Sequence, residues 1–193
     1  MTDGRNNRAA GDQLRRIVAT LHRGRKVRSA LLIAALAGVA TVPLAASVVW
    51  TAPILLVWNA SASAPVGLYR LLGGAPPRRG DMAVAWAPRP GRRLAARRHY
   101  VPANVPLVKR VAAVAGDRVC AAGGTVSING RQATVRRRSD PAGRPMPWWH
   151  GCHRLRPHEY FLLTDSPLSF DGRYFGITRG SEILGKARLL WPR

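Results

Sequence analysis

Acidic residues are scarce in this chain: Asp and Glu total 9 against 31 Lys and Arg, a formal charge of +22 over 193 residues. Such an excess attracts phosphate-bearing partners, either nucleic acid or anionic lipid headgroups. A compositional bias toward Arg, Ala, Gly and Pro produces the same excess, so charge alone does not choose. Lysine is scarcer still, confined to Lys26, Lys109 and Lys186, and cysteine is limited to Cys120 and Cys152. The G-x-S-x-G elbow, paired-cysteine zinc spacing, the P-loop and H-E-x-x-H are all absent, which removes the familiar signatures of several hydrolase, zinc and nucleotide-binding classes. No internal repeat is visible. The length suits one globular domain with an appendage.

Charge is also missing from residue 29 to residue 69, between Arg28 and Arg70. Within that run, Ser29 to Trp50 is long enough as a helix to cross the roughly 30 Å hydrocarbon core of a bilayer. A buried soluble helix and a cleaved signal peptide are the alternatives. The run exceeds the usual apolar core of a signal peptide and continues into TAPILLVWNA without a polar break, which favours an uncleaved anchor. The cluster RGRKVR, Arg23 to Arg28, assigns the N-terminal side to the cytoplasm and everything from about Asn59 onward to the far side. The expected organisation is a basic cytoplasmic segment at 1–28, an anchor at 29–50 and an outer domain at 51–193. In an oxidising compartment Cys120 and Cys152 can pair. Free thiols remain an alternative, as does a metal site using His150 and His153, although HGCH lacks the spacing of common zinc modules.

The outer domain reads as short strands divided by turns, with no convincing long amphipathic helix. MAVAWA, PLVKRVAAVA, RVCA, TVSI, YFLLT and ARLLW carry the β-branched, aromatic and apolar residues that suit pleated surfaces. Asn129-Gly130 is the dipeptide preferred in a two-residue hairpin turn. The arginine-rich stretches 89–98 and 136–147 read as solvated loops, and His99, His150, His153 and His158 as surface residues. The predicted fold is mainly antiparallel β.

Lys109 stands apart from the other lysines. It lies inside PLVKRVAAVAGD, where apolar surroundings lower the pKa of an amine toward the range a general base needs near neutral pH. Arginine cannot serve, because it does not deprotonate in proteins. The plain alternative is a lysine that snorkels from a strand edge, and alternation alone does not decide, since both faces of this strand are similarly apolar.

The ordered set NASASAPVGLYRL, LVKRVAAVAGD, SFDGRYFG and GKARLLW, following an N-terminal anchor, resembles the serine-lysine signal peptidases, and within them the TraF-type conjugal-transfer peptidases that mature propilins. The resemblance spans nearly the whole outer domain. It implies a barrel-like antiparallel β fold of signal-peptidase type and no cofactor. Residue by residue it implies Ser63 as nucleophile, Lys109 as its base, Ser61 as an oxyanion donor beside the backbone N–H of Ser63, and Ser169 as the hydroxyl that orients Lys109. Asp171 and Arg173 become the pair that fixes the loop near the site. An extended backbone at 61–63 would put both serines on one face. Three features depart from the family pattern: Ala64-Pro65 follows the nucleophile where general signal peptidases have Met and a later Pro, Gly172 replaces a frequent Ser, and LLTDSP replaces a Gly-Asp-Asn turn. The shorter proline spacing is similar to the TraF-type group.

The resemblance implies a precursor-protein substrate, a propilin or another exported preprotein, and contact with membrane lipids. It also implies placement in a bacterial inner membrane with the outer domain periplasmic. A general type I signal peptidase is one alternative. A non-enzymatic basic component of a secretion or conjugation apparatus, binding DNA or lipid, is another. No basic platform interleaved with aromatics for stacking bases is evident, which argues against nucleic acid.

Overall fold

The computed structural model describes residues 54–193, together with Ala35, Gly38, Val39 and Thr41. The expected anchor at 29–50 otherwise lies outside the described residues, as does the basic segment 1–28. No helix among the described residues is long and apolar enough to cross a membrane. The chain divides into two units at Pro53/Ile54, and the second holds the fold described below.

That unit is mainly antiparallel β, as the sequence predicts. Eleven strands run in chain order: β1 Leu56–Asn59, β2 Gly67–Leu72, β3 Met82–Ala85, β4 Leu107–Ala113, β5 Arg118–Ala122, β6 Thr125–Ile128, β7 Arg131–Val135, β8 Gly151–Arg154, β9 Glu159–Leu163, β10 Thr178–Arg179 and β11 Ile183–Pro192. They form a seven-stranded sheet ordered β1-β2-β11-β3-β4-β9-β10 and a four-stranded sheet ordered β7-β6-β5-β8. The larger sheet is open, with β1 and β10 as its ends. Asn129 and Gly130 turn β6 into β7 with φ of 51° and 81°, the doubly left-handed backbone that an Asn-Gly hairpin supplies.

Alternation explains the burial. Along β1, Leu56 and Trp58 face out while Val57 and Asn59 face in. Val57 joins Tyr69, Val84, Val108, Ala187 and Ala64 in one apolar cluster, which ties the β1–β2 end of the sheet to its centre. Fully burying a side chain such as Val57 or Val84 contributes roughly 1.5–3 kcal/mol. A second cluster, with Val119, Val126, Leu155 and Phe161, brings β5 and β6 of the smaller sheet together with β9 of the larger. Gly67 opens β2 at φ +152°, and a Cβ there would lie 2.1 Å from the Trp191 carbonyl oxygen, so only glycine lets β11 approach this closely.

Two stretches differ from the sequence expectation. Residues Arg89–Arg97 form an α-helix, α1, rather than a solvated link. Its proline lies in the first turn, where a missing N–H leaves no intrahelical bond unmade. Gly91 is buried, and a Cβ there would meet the Phe175 Cβ at 2.8 Å, so the glycine permits a close approach instead of breaking the helix. The stretch 136–147 is a loop, but not simply a solvated one. Arg136 is buried, donates to the carbonyls of Trp149 and Gly123, and lies over both Trp148 and Trp149. Asp140 is buried as a hub for Tyr100, Arg144 and Arg98.

Candidate active site

Ser63 and Lys109 come from distant parts of the larger sheet. Ser63 lies in the loop between β1 and β2, whereas Lys109 sits on β4, with β11 and β3 between β2 and β4. Adjacent strands are about 4.8 Å apart, so a flat sheet would separate β2 from β4 by roughly 14 Å. Yet Lys109 Nζ lies 2.8 Å from Ser63 Oγ. The sheet therefore curls, and the β1–β2 loop turns in over β4.

A chain of polar contacts runs through the site. Lys109 Nζ is 2.8 Å from Ser63 Oγ and 2.8 Å from Ser169 Oγ, on the loop that follows β9. Ser61 Oγ lies 2.9 Å from Ser63 Oγ and accepts from the Ser63 backbone N–H at 3.2 Å. The serine segment is a turn rather than extended, with Ala64 N–H donating to the Ser61 carbonyl at 3.4 Å. The two hydroxyls meet nonetheless, because the turn folds Ser61 back onto Ser63. Ala64 is buried in the core and anchors the turn next to Ser63.

Lys109 is only 3% exposed. Burial pushes its amine down from 10.5 to about 8; the negative charge of Asp171 opposes the shift and the positive charge of Arg173 adds to it. Asp171 is itself committed to Arg173, which reaches it from Nε at 2.8 Å and from Nη2 at 3.1 Å, with both side chains buried. Arg173 Nη2 also donates to the Thr164 carbonyl at 2.7 Å, while the Thr164 N–H donates to Asp171 at 3.2 Å. Asp171 further accepts from the Arg173 N–H, capping the short helix α2, Gly172–Phe175. This network holds the 164–173 loop that carries Ser169 and makes no direct hydrogen bond to Ser63 or Lys109. Gly172 fits because a Cβ there would lie 2.7 Å from the Leu162 carbonyl oxygen.

The site opens onto a cleft of about 690 Å³ whose lining includes Trp58, Ala60, Val105, Leu107 and Val108. A second recess of about 340 Å³, bordered by Pro65, Met82, Arg110 and Asp165, also reaches Ser63. Ser63 thus stands between two recesses that an extended chain could occupy in turn. Chemically, a hydroxyl beside a largely desolvated amine that is neutral above about pH 8 can lose its proton to that amine.

The structure brings Ser61, Ser63, Lys109 and Ser169 together and sets Asp171 and Arg173 behind the Ser169 loop. Cys120 and Cys152 lie elsewhere, paired across β5 and β8 and joined as a disulfide, so they are neither free thiols nor metal ligands. His99, His150 and His158 are exposed, and His153 pairs with Glu159 at 2.7 Å; none lines either recess. Lys186 is held by Asp81 at 2.8 Å in a surface ion pair. One site residue escaped the sequence reading. Asn59 is buried against the serine turn, and an Asn at the end of a strand, two residues ahead of a Ser, is the readable signal for such a local bond.

Residues 26–192 match the family described as Signal peptidase, peptidase S26. A plasmid transfer protein TraF of Escherichia coli is 34% identical over 148 residues, 69% of this chain and 82% of that protein. A probable conjugal transfer protein TraF of Sinorhizobium fredii is 35% identical over 142 residues, 67% of this chain and 73% of that one. The crystal structure of a signal peptidase I from Enterococcus faecalis V583 matches at 21% identity with a TM-score of 0.35, covering 62% of this chain and 100% of that chain, a likeness too loose to add weight. On the breadth of the family match and the identity to the TraF proteins, the chain belongs to the peptidase S26 family of signal peptidases, as a TraF-like member.

Proposed function

We propose that this chain is a membrane-anchored serine endopeptidase that cuts exported precursor proteins, with Ser63 as nucleophile and Lys109 as general base. The contact of Ser63 Oγ with the buried Lys109 amine carries the reading. Lys109 Nζ takes the Ser63 proton as Oγ attacks the scissile carbonyl. The oxyanion that forms is held by the Ser63 N–H and the Ser61 hydroxyl. Lys109 then returns the proton to the departing amine, leaving the acyl group esterified to Ser63. Water, or a second amine, attacks the ester as Lys109 takes its proton, and Lys109 then passes that proton to the departing Ser63 Oγ, which restores both groups. Ser169 accepts a hydrogen bond from the amine throughout and aims its lone pair.

The TraF relatives favour a conjugative propilin as the substrate, and the uncharged run at 29–50 favours an anchor with the 54–193 unit on the periplasmic side. A non-enzymatic basic component would have no need to bury a lysine between two hydroxyls. The test is the initial cleavage rate of purified propilin, and of an ordinary secretory precursor, by the full chain in lipid. Ser63→Ala and Lys109→Arg should each abolish cleavage while folding normally, although the second keeps the charge. Robust cleavage by folded Lys109→Arg would mean that another group is the base. Equal rates on both precursors would point to a general signal peptidase.

A further inference from the structure

One side chain makes most of the polar contacts that hold the loop carrying both serines. Asn59 is the last residue of β1 and pairs with Gly67, the first of β2, so residues 60–66 form the connection between them. Strand alternation turns the Asn59 side chain inward, where it is only 8% exposed. Its Nδ2 lies 2.9 Å from the Ser61 carbonyl oxygen, 3.1 Å from that of Ala64 and 3.0 Å from that of Pro65. Its Oδ1 accepts from the Ser61 N–H at 3.2 Å. The Ser61 peptide groups are therefore held on both sides by one amide. The buried Tyr69 hydroxyl adds a second hold, donating to the Pro65 carbonyl at 2.9 Å.

We propose that Asn59 is a positioning residue that sets the Ser61 hydroxyl and the Ser63 N–H to share one oxyanion; this rests on the peptidase reading above. In the free site Ser61 Oγ accepts from the Ser63 N–H. The two donors of the proposed oxyanion hole thus face each other until a carbonyl arrives. With its backbone fixed by Asn59, Ser61 needs only a side-chain rotation to release that N–H and turn its own O–H onto the incoming oxygen. No other residue type supplies this pattern. Asp keeps the acceptor but sets a carboxylate against three carbonyl oxygens, Gln adds a methylene that carries the amide past its partners, and Ala removes every bond.

The experiment is a double-mutant cycle on the full chain in lipid, with kcat and KM measured for cleavage of one precursor. Asn59→Ala should lower kcat by about 100-fold, the scale of a misplaced reacting group, with KM changed less than about threefold. Combining it with Ser61→Ala should cost well under the product of the two single losses, because part of what Asn59 does passes through that hydroxyl. Asn59→Asp, nearly isosteric, should show the same coupling. Losses that multiply in the double variant would overturn the proposal, as would wild-type kcat in Asn59→Ala. Loss of the melting transition in both Asn59 variants would assign the residue a structural role instead. The peptidase reading fails separately, if Ser63→Ala still cleaves.

Discussion

The two sheets handle the same arginine-rich composition in opposite ways. In the four-stranded sheet, polar and basic side chains stay outside, with Arg118, Arg131 and Arg154 exposed, while Val119, Ala121 and Val126 fill the core and one disulfide crosses β5 to β8. Around the site in the seven-stranded sheet, polar groups are buried and bonded to one another: Asn59, Lys109, Thr164, Ser169, Asp171 and Arg173 all lie in the interior. The two buried cations there are treated differently. Arg173 is given a two-point carboxylate partner, whereas Lys109 is given only hydroxyls. An arginine stays charged and must be paired, but a lysine facing hydroxyls can give up its proton. Beside the site the fold thus spends the Asp171–Arg173 pair on structure and leaves the lysine free to titrate.

The sharpest way to break that division is to remove the carboxylate. Asp171→Asn leaves the Arg173 guanidinium buried without a counter-ion, and breaking such a pair typically costs roughly 3–5 kcal/mol. Urea unfolding of the isolated variant should show that loss. A change within about 1 kcal/mol would mean that water reaches Arg173 and that the pair is less buried in solution. Losing the Asp171 charge also removes the influence that raises the Lys109 pKa, so any surviving activity should reach its plateau at lower pH.

The smaller sheet offers the converse test. Replacing Cys120 and Cys152 together by serine should lower stability by about 3–4 kcal/mol on the chain-entropy account, since the bond closes a loop with a sequence separation of 32. Cleavage well below the melting temperature should persist, because no site residue lies in that sheet. Before reduction, native protein should resist alkylation at both positions. A large fall in kcat in the folded serine variant would show that the two regions are coupled.

What the sequence made legible follows the same line. The strands were readable from apolar alternation, and Ser63, Lys109 and Ser169 from their resemblance to a family pattern, because each side chain is dictated by the chemistry it would perform. Helix α1 is hard to see in the sequence because Pro90 and Gly91 disfavour helix and the stretch is short and strongly charged; its stability rests on tertiary contacts, with Ala95 and Gly91 buried. In the sequence, Arg136 and Asp140 look solvated because charge usually is, and only the folded chain shows the carbonyls and the Tyr100 hydroxyl that satisfy them. Asn59 carries a local signal two residues ahead of Ser61, but its three carbonyl acceptors converge only once the loop has closed.

The mildest test asks whether Lys109 titrates as its surroundings dictate. Burial lowers its pKa from 10.5 to about 8, and under the proposed mechanism the amine must be neutral to accept the Ser63 proton. The kcat/KM for cleavage should therefore rise about tenfold per pH unit below that value and level off above it, instead of climbing on toward 10.5. Stability should follow the same group with a definite sign. Between about 8 and 10.5 the unfolded chain holds a proton on this lysine that the folded chain has released. In that window the unfolded state binds more protons, so the Lys109 contribution makes stability increase with pH, by at most about 1.4 kcal/mol per unit. Lys109→Met should remove that increment, seen as the difference between variant and parent melting curves across the window. An unchanged slope, together with an activity limb near 10.5, would mean that the amine is solvated in the working protein and that the site is wetter than its burial indicates.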